Sequence, residues 1–315
     1  MSQATFEQLG EFLRSRDCFE ILTHAYPDGD TLGSGFALAL ALNQIGKRAR
    51  VITTGVPKNF EFLSRLVPAQ DFEAQTIVSV DVADEKLLGD NIEAYEGRID
   101  LCVDHHAINR VNAKQKHVDP HAASNCEILY RLFRFMDIEI TADIADCLYT
   151  GVSTDTGCFK YGNTTPETLR IAADLIEAGA KAPAINKAMF DTKTRKKLRL
   201  EQEIYATIEY SADGRCAVIA APLELQRRLG VGDGELEGLA SIPRSIEGVV
   251  IGITLREKTE GEFKISVRSD KNFVNAAEFC RGFGGGGHAE AAGCTIIGSL
   301  DEVKSRLRAA VDEVL

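Results

Sequence analysis

Two short apolar runs limit the possible folds of this chain more than anything else in it. Thr76-Ile77-Val78-Ser79-Val80 ends in Asp81, and Ile99-Asp100-Leu101-Cys102-Val103 ends in Asp104-His105-His106. Short continuous apolar runs mark strands covered on both faces of a parallel sheet. Open α/β sheets carry their chemistry at the carboxyl ends of such strands. Two strands delivering Asp and Asp-His-His to one rim predict an α/β fold with a metal site on that rim.

The segments upstream supply more donors. Phe19–His24 reads as a first strand and Ala49–Thr54 as a second, making a β-α-β unit. Between them stand His24, Asp28 and Asp30 in H-x-x-x-D-x-D spacing. Pro27 and Gly29 predict a tight irregular turn, whose kinked backbone aims Asp28 and Asp30 at two different ions. Gly33 and Gly35 clear space for close backbone approach where the next helix, Phe36–Ile45, begins. Asp28 or Asp30 alone reads as a helix cap. With His24, Asp81 and Asp104-His105-His106 on neighbouring strands, ligation is the better reading. Downstream, helices are predicted at 124–136 and 143–150. The second runs into a turn at 151–157, where Asp155 offers a donor from a further segment. His117 and His121 read as loop residues, at the surface or in support of the site.

Further helices are predicted at 166–178 and 183–190. Then comes Thr192-Lys193-Thr194-Arg195-Lys196-Lys197-Leu198-Arg199, a basic run that fits a solvated helix face joining two domains. Strands are predicted at 216–221, 248–256 and 262–268. A short helix at 275–281 leads into Gly284-Gly285-Gly286-Gly287-His288. Each ordered glycine costs about 0.5–1 kcal/mol of backbone entropy relative to Ala. Four in succession, with small helix-favouring residues after them, therefore predict an anion cradle lined by exposed N–H groups. His288 would add a charge-assisted bond to a phosphate, with Arg268 and more weakly Arg256 completing the grip.

Composition narrows the class. A length of 315 residues suits two domains. The net charge of -11 argues against a general nucleic-acid coat. Residues 1–192 hold 28 acids and 18 bases, and residues 193–315 hold 19 and 18, so the acidity lies in the half with the metal candidates. The 8 cysteines form no C-x-x-C pair, which removes a zinc ribbon or redox pair. With no secretory signal, they predict a cytoplasmic protein. The longest apolar stretch, Phe36–Leu42, is too short to cross a membrane.

Taken together, the motifs resemble the DHH phosphoesterase superfamily with its C-terminal DHH-associated domain. His24-x-x-x-Asp28-x-Asp30, Val80-Asp81, Asp104-His105-His106 and Thr154-Asp155-Thr156-Gly157 stand in family order. Gly284–His288 with Ala291-Ala292-Gly293 is similar to the hallmark of the C-terminal domain. Tyr26 departs from the pattern where Asn or a similar polar residue is expected, a position that bears on substrate preference. The length resembles the nano-RNase and phosphoadenosine-phosphate phosphatase branch.

This resemblance implies a parallel-sheet catalytic domain over 1–190, a helical linker at 191–204 and a smaller mixed-sheet α/β substrate-binding domain over 205–315, with a cleft between the domains. It implies two divalent ions, Mn²⁺ foremost, with Mg²⁺, Co²⁺ or Fe²⁺ as substitutes. His24 and Asp28 would hold one ion, Asp30, His105 and Asp155 the other, and Asp81 would bridge. The catalytic pair would be His106, facing the substrate phosphate, and Asp104, orienting its neighbours. Arg268, Gly285, Gly286, Gly287 and His288 would bind substrate. The expected substrates are short RNA or DNA oligonucleotides, cut to mononucleotides, and 3′-phosphoadenosine 5′-phosphate, cut to AMP; no membrane partner is expected, and a homodimer is left open. The rival readings are a cyclic-dinucleotide phosphodiesterase, a manganese inorganic pyrophosphatase and a catalytically vestigial nucleotide-binding module.

Overall fold

The computed structural model describes residues 3–315. The chain divides into two compact units, Met1–Thr192 and Lys193–Leu315.

The first unit is built on a five-stranded parallel sheet in the order β2-β1-β3-β4-β5. Its strands are β1 (Phe19–Leu22), β2 (Ala49–Ile52), β3 (Thr76–Val80), β4 (Ile99–Asp104) and β5 (Ala113–Val118). β1, β3 and β4 are buried along their whole length, as their apolar runs require. From β1 the chain turns outward to β2, and the later strands add on the other side of β1. The order therefore reverses between β1 and β3. At such a switch point the loops diverge and open a crevice beyond the strand ends. His24 follows β1 and Asp81 follows β3, so both stand at that crevice.

Several elements differ from expectation, each for a packing reason. The helix after β1 runs Gly29–Gln44, so Asp30 lies in its first turn rather than in an irregular loop. Gly33 and Gly35 sit inside this helix. A Cβ on Gly33 would lie 2.5 Å from the Cys147 carbonyl oxygen, so the glycine serves close approach to the helix Ala142–Asp155. That second helix continues past the expected 150 and places Asp155 on its last turn. Gly151 does not break it, because the glycine makes room for the Cys126 thiol, 2.3 Å from where its Cβ would stand. His117 lies on β5, not in a loop: its Nδ1 is 2.8 Å from the Ala4 carbonyl oxygen, and its ring is 5.0 Å from that of Phe6. Phe19, Ile21, Leu38, Leu132, Phe133 and Leu148 form the centre of the core.

The second unit holds a six-stranded sheet in the order β10-β11-β9-β8-β7-β6. Its strands are β6 (Glu209–Ser211), β7 (Cys216–Ala221), β8 (Ile251–Thr259), β9 (Glu262–Ser269), β10 (Gly286–Gly287) and β11 (Ala291–Ile297). β7 and β8 run parallel, and the remaining neighbours are antiparallel. Phe263, Ile265 and Val267 pack with Val303, Leu307 and Val311 of the C-terminal helix. The segment expected as a linker, 191–204, overlaps the helix Arg195–Ala206, whose Leu200 and Ile204 are buried with Ile219 and Leu236. Among the described residues no helix is long and apolar enough to cross a membrane. All the cysteines are free thiols.

Candidate metal centre

Each donor is fixed by an element end. Asp28 caps the helix Gly29–Gln44, accepting from the amides of Asp30 (3.0 Å) and Thr31 (3.1 Å). It thus does what a cap does and still presents its carboxylate beside His24, at 3.7 Å. Thr31 ties the crevice together: its hydroxyl donates to the Val80 carbonyl at 3.2 Å and accepts from the His24 amide at 3.4 Å. Asp30 is buried, and its two oxygens accept from the amides of Asn125 (2.6 Å) and Cys126 (3.0 Å). Those amides open the helix Asn125–Phe135, whose N-terminus favours an anion. Asp81 leaves β3 in a left-handed conformation with φ 56°, and its amide donates to the Val103 carbonyl at 3.0 Å.

The side chains converge. His105 Nε2 stands 3.3 Å from Asp155 Oδ2, 3.5 Å from Asp81 Oδ1 and 3.8 Å from Asp30 Oδ2. His105 Nδ1 is 3.3 Å from the Ala122 carbonyl oxygen. That acceptor fixes the tautomer with the proton on Nδ1, so the Nε2 lone pair faces the carboxylates. His24 Nε2 lies 3.8 Å from Asp81 Oδ2. His106 Nδ1 lies 2.8 Å from Asp104 Oδ1 and 3.6 Å from Asp81 Oδ1. The structure therefore gathers three donor groups: His24, Asp28 and Asp81; Asp30, His105 and Asp155; and Asp81, His105 and His106. Asp81 belongs to two of them.

The electrostatics of this cluster call for cations. Burial, then the surrounding carboxylates, pushes Asp81 well above the usual carboxylate range. Burial raises Asp30 as well, against the opposing charge of His105. Asp155 is pushed up to about 9 by burial and by Asp30 and Asp28. Desolvation acts upward on Asp28 too, but the hydrogen bond and charge of His24 and the amides of Thr31 and Asp30 outweigh it and hold the group low. Asp104 is likewise held low: His106 and Asn109 overcome its burial. His106 is raised, chiefly by its hydrogen bond to Asp104.

Divalent ions fit these residues. Asp81 Oδ1 is buried and has no hydrogen-bond partner. An unpartnered buried carboxylate oxygen is costly unless a positive charge meets it. Among the described residues, the basic groups paired with Asp28, Asp30, Asp81 and Asp155 are all imidazoles. Donor atoms roughly 3–4 Å apart are those that share one ion at a ligand distance of about 2.1 Å. A mixed oxygen and imidazole set suits Mn²⁺, Fe²⁺, Co²⁺ or Mg²⁺.

Four supporting groups are not legible in the sequence. The Ala122 carbonyl and the Asn125 and Cys126 amides are backbone groups with no residue-type signal; Ser124, capping the Asn125–Phe135 helix through its hydroxyl, was the one available hint. Asn109, which donates to Asp104 Oδ2 at 2.7 Å, had no hint at all.

In the second unit Gly286 and Gly287 form β10 against Gly293 and Ala292. Three amides of the expected cradle are taken up within the second unit. The amides of Gly284, Gly285 and His288 donate to the carbonyls of Arg281, Cys280 and Ala291. The glycines allow close strand approach instead: Cβ atoms on Gly285 and Gly287 would stand 2.2 Å from the Gly293 oxygen and 2.6 Å from the Ala291 oxygen. A strand, not a helix, follows them. Arg268 lies opposite Ala291, which places it at the same end of the sheet as the exposed His288. Arg256 does not join that grip. It pairs with Asp233, and its register neighbour on β9 is Lys264, four residues along that strand from Arg268, or about 13 Å.

The chain matches the DHH family, N-terminal domain, over residues 19–152 and the DHHA1 domain over residues 214–315. A Thermus thermophilus protein named bifunctional oligoribonuclease and PAP phosphatase NrnA is 31% identical over 94% of this chain and 89% of its own length. The chain belongs to the DHH family. A Streptococcus mutans protein named probable bifunctional oligoribonuclease and PAP phosphatase NrnA is 25% identical over 89% of this chain and 90% of its own. A crystal structure from Bacteroides fragilis, described as an exopolyphosphatase-related protein, superposes with a TM-score of 0.87 at 26% identity, covering 98% of this chain and 95% of that one.

Proposed function

We propose that this phosphoester hydrolase cuts short oligonucleotides to mononucleotides and 3′-phosphoadenosine 5′-phosphate to AMP in a metal-dependent reaction. The observation that carries the reading is Asp81, a buried carboxylate shared between groups of Asp and His donors, with one oxygen that has no hydrogen-bond partner and only imidazoles within 4 Å as basic neighbours. The names of the Thermus and Streptococcus relatives support the substrates.

His24 and Asp28 would hold one divalent ion, Asp30, His105 and Asp155 a second, with Asp81 between them. Ions held there would supply Lewis acidity toward water and toward the negative charge on the phosphoryl oxygens. The protein's own groups do the rest. Asp104 holds His106 by Nδ1, leaving Nε2 to the outside; the side chain is 46% exposed and would be open to a substrate. Directed outward by that contact, His106 Nε2 would serve the leaving oxygen. Arg268 and His288, with Gly285, Gly286 and Gly287, would bind a phosphate of the nucleotide.

The test is incubation of the Mn²⁺-supplemented protein with a labelled linear dinucleotide, 3′-phosphoadenosine 5′-phosphate, a cyclic dinucleotide and pyrophosphate, side by side. Mononucleotides from the linear dinucleotide and AMP from the bisphosphate are the expected products. Hydrolysis of pyrophosphate alone would overturn the reading.

A further inference from the structure

We propose that Asn109 is a positioning residue for the hydrolysis, acting on His106 through Asp104, and that Lys116 anchors it. The inference deepens the function proposed above and rests on the role given there to His106.

The contacts form one continuous chain. Lys116 Nζ donates to Asn109 Oδ1 at 3.2 Å. Asn109 Nδ2 donates to Asp104 Oδ2 at 2.7 Å. Asp104 Oδ1 lies 2.8 Å from His106 Nδ1. The orientation of the Asn109 amide is set by its surroundings. Its oxygen also accepts from the Val111 amide at 3.1 Å, and its nitrogen also donates to the Val82 carbonyl at 2.9 Å. A flipped amide would set its oxygen against a carboxylate and a carbonyl, so only one orientation satisfies every partner.

Asn109 is thus a clamp on the far oxygen of Asp104. Asp104 is fully buried at the end of β4, yet the side chain it steers is at the surface. A carboxylate held only by His106 can pivot about its Cβ–Cγ bond, and the imidazole then loses its fixed direction. Held by Asn109 as well, Asp104 keeps Oδ1 toward Nδ1, and Nε2 keeps its outward aim. Only an amide serves here, because a carboxylate at 109 would face Asp104 with like charge.

The test compares Asn109→Leu, Asn109→Asp, Lys116→Met and Lys116→Arg with His106→Ala in the full chain. Turnover of the linear dinucleotide with Mn²⁺ gives kcat and KM, and isothermal titration gives Mn²⁺ affinity. Long-range ¹H–¹⁵N spectra of the chelated protein report the tautomer of His106, among only 6 imidazoles and identified by its loss in His106→Ala. Asn109→Leu should lower kcat roughly 10–100-fold, with KM and Mn²⁺ affinity within about twofold, and should mix the tautomers of the neutral ring. Asn109→Asp should be at least as severe. Lys116→Met should show a weaker form of both changes and Lys116→Arg should restore them. Wild-type kcat and wild-type imidazole nitrogen shifts in Asn109→Leu overturn the inference. A kcat loss that comes with lost Mn²⁺ affinity and unchanged His106 shifts overturns it too. If Asn109→Leu does not fold, Lys116→Met with unaltered shifts and rate decides against it. Full turnover in His106→Ala would instead overturn the role of His106 itself, whatever Asn109 does.

Discussion

At Asp81 a left-handed backbone, a buried carboxylate and an oxygen without a hydrogen-bond partner coincide. A strained backbone and a desolvated carboxylate in one residue persist only where their surroundings, or what the site binds, offset the cost. Asn tolerates this backbone nearly as well as Asp, so Asp81→Asn removes the charge without adding strain. It should abolish turnover and, in chelator, raise the melting temperature; a fall would contradict the repulsion argument. The same repulsion sets a pH dependence. Asp155 moves from an ordinary 3.8 to about 9, and Asp30 and Asp81 shift the same way. A raised folded pKa contributes stability that is fully present below the unfolded value and is lost as pH climbs through the folded one. Asp28 and Asp104 are shifted down, so their contributions are lost only on the acid side of 3.8. His106 acts with the raised carboxyls above its ordinary 6.5. Chelated protein should therefore melt at falling temperatures from pH 5 to 9. Saturating Mn²⁺ should flatten the curve, and Asp155→Asn should flatten it partly without metal. A metal-free profile that rises over that range would refute the electrostatic account. His24, Asp81 and His105 were legible in the sequence because strand ends announce themselves by apolar runs, whereas Asp28, Asp30 and Asp155, at helix ends, were legible only through their spacing from the others. Asn109 and the Ala122 carbonyl were not, since their roles depend on what tertiary packing sets beside them.

Element packing sets the spacing of these donors. The helices Gly29–Gln44 and Ala142–Asp155 carry Asp30 and Asp155, and they touch through glycines. A Cβ on Gly151 would stand 2.6 Å from Asp30 Oδ1, and one on Gly33 would reach the Cys147 carbonyl. Neither obstacle is the free end of a flexible chain. Gly33→Ala should thus cost about 1–3 kcal/mol by overpacking, read as a lower urea midpoint with an unchanged m-value. It should also weaken Mn²⁺ binding, because Asp30 is one turn away. An unchanged midpoint would mean the helices part at no cost. Gly33 and Gly35 signal close approach in the sequence, but glycine propensity puts that approach before the helix rather than inside it. Tertiary contact overrides propensity there, and again at Gly151. The glycine run is ambiguous for a related reason. Exposed amides and close strand packing both demand glycine, and only the partners of Gly284, Gly285 and His288 separate the two.

At the scale of the whole chain, alternating strands and helices made the parallel sheet legible, but not its order. Nothing in a single run says that β3 adds beside β1 rather than beside β2, yet that choice creates the crevice. Division of labour between the units follows from where the donors fall. All the acidic and imidazole donors belong to Met1–Thr192, and the phosphate-binding candidates belong to Lys193–Leu315. Mn²⁺ at 100 times its Kd stabilises the state that binds it by about 2.7 kcal/mol. Amide exchange should slow on adding Mn²⁺ in β3, β4 and the helices carrying Asp30 and Asp155. His288→Ala should leave both that protection and kcat within about twofold while raising KM for the dinucleotide several-fold, the signature of binding energy spent equally on ground and transition states. Arg268→Ala should behave alike, and the double variant should fall short of the product of the two, since both would grip one phosphate. A drop in kcat with KM unchanged would move His288 from binding into the chemistry.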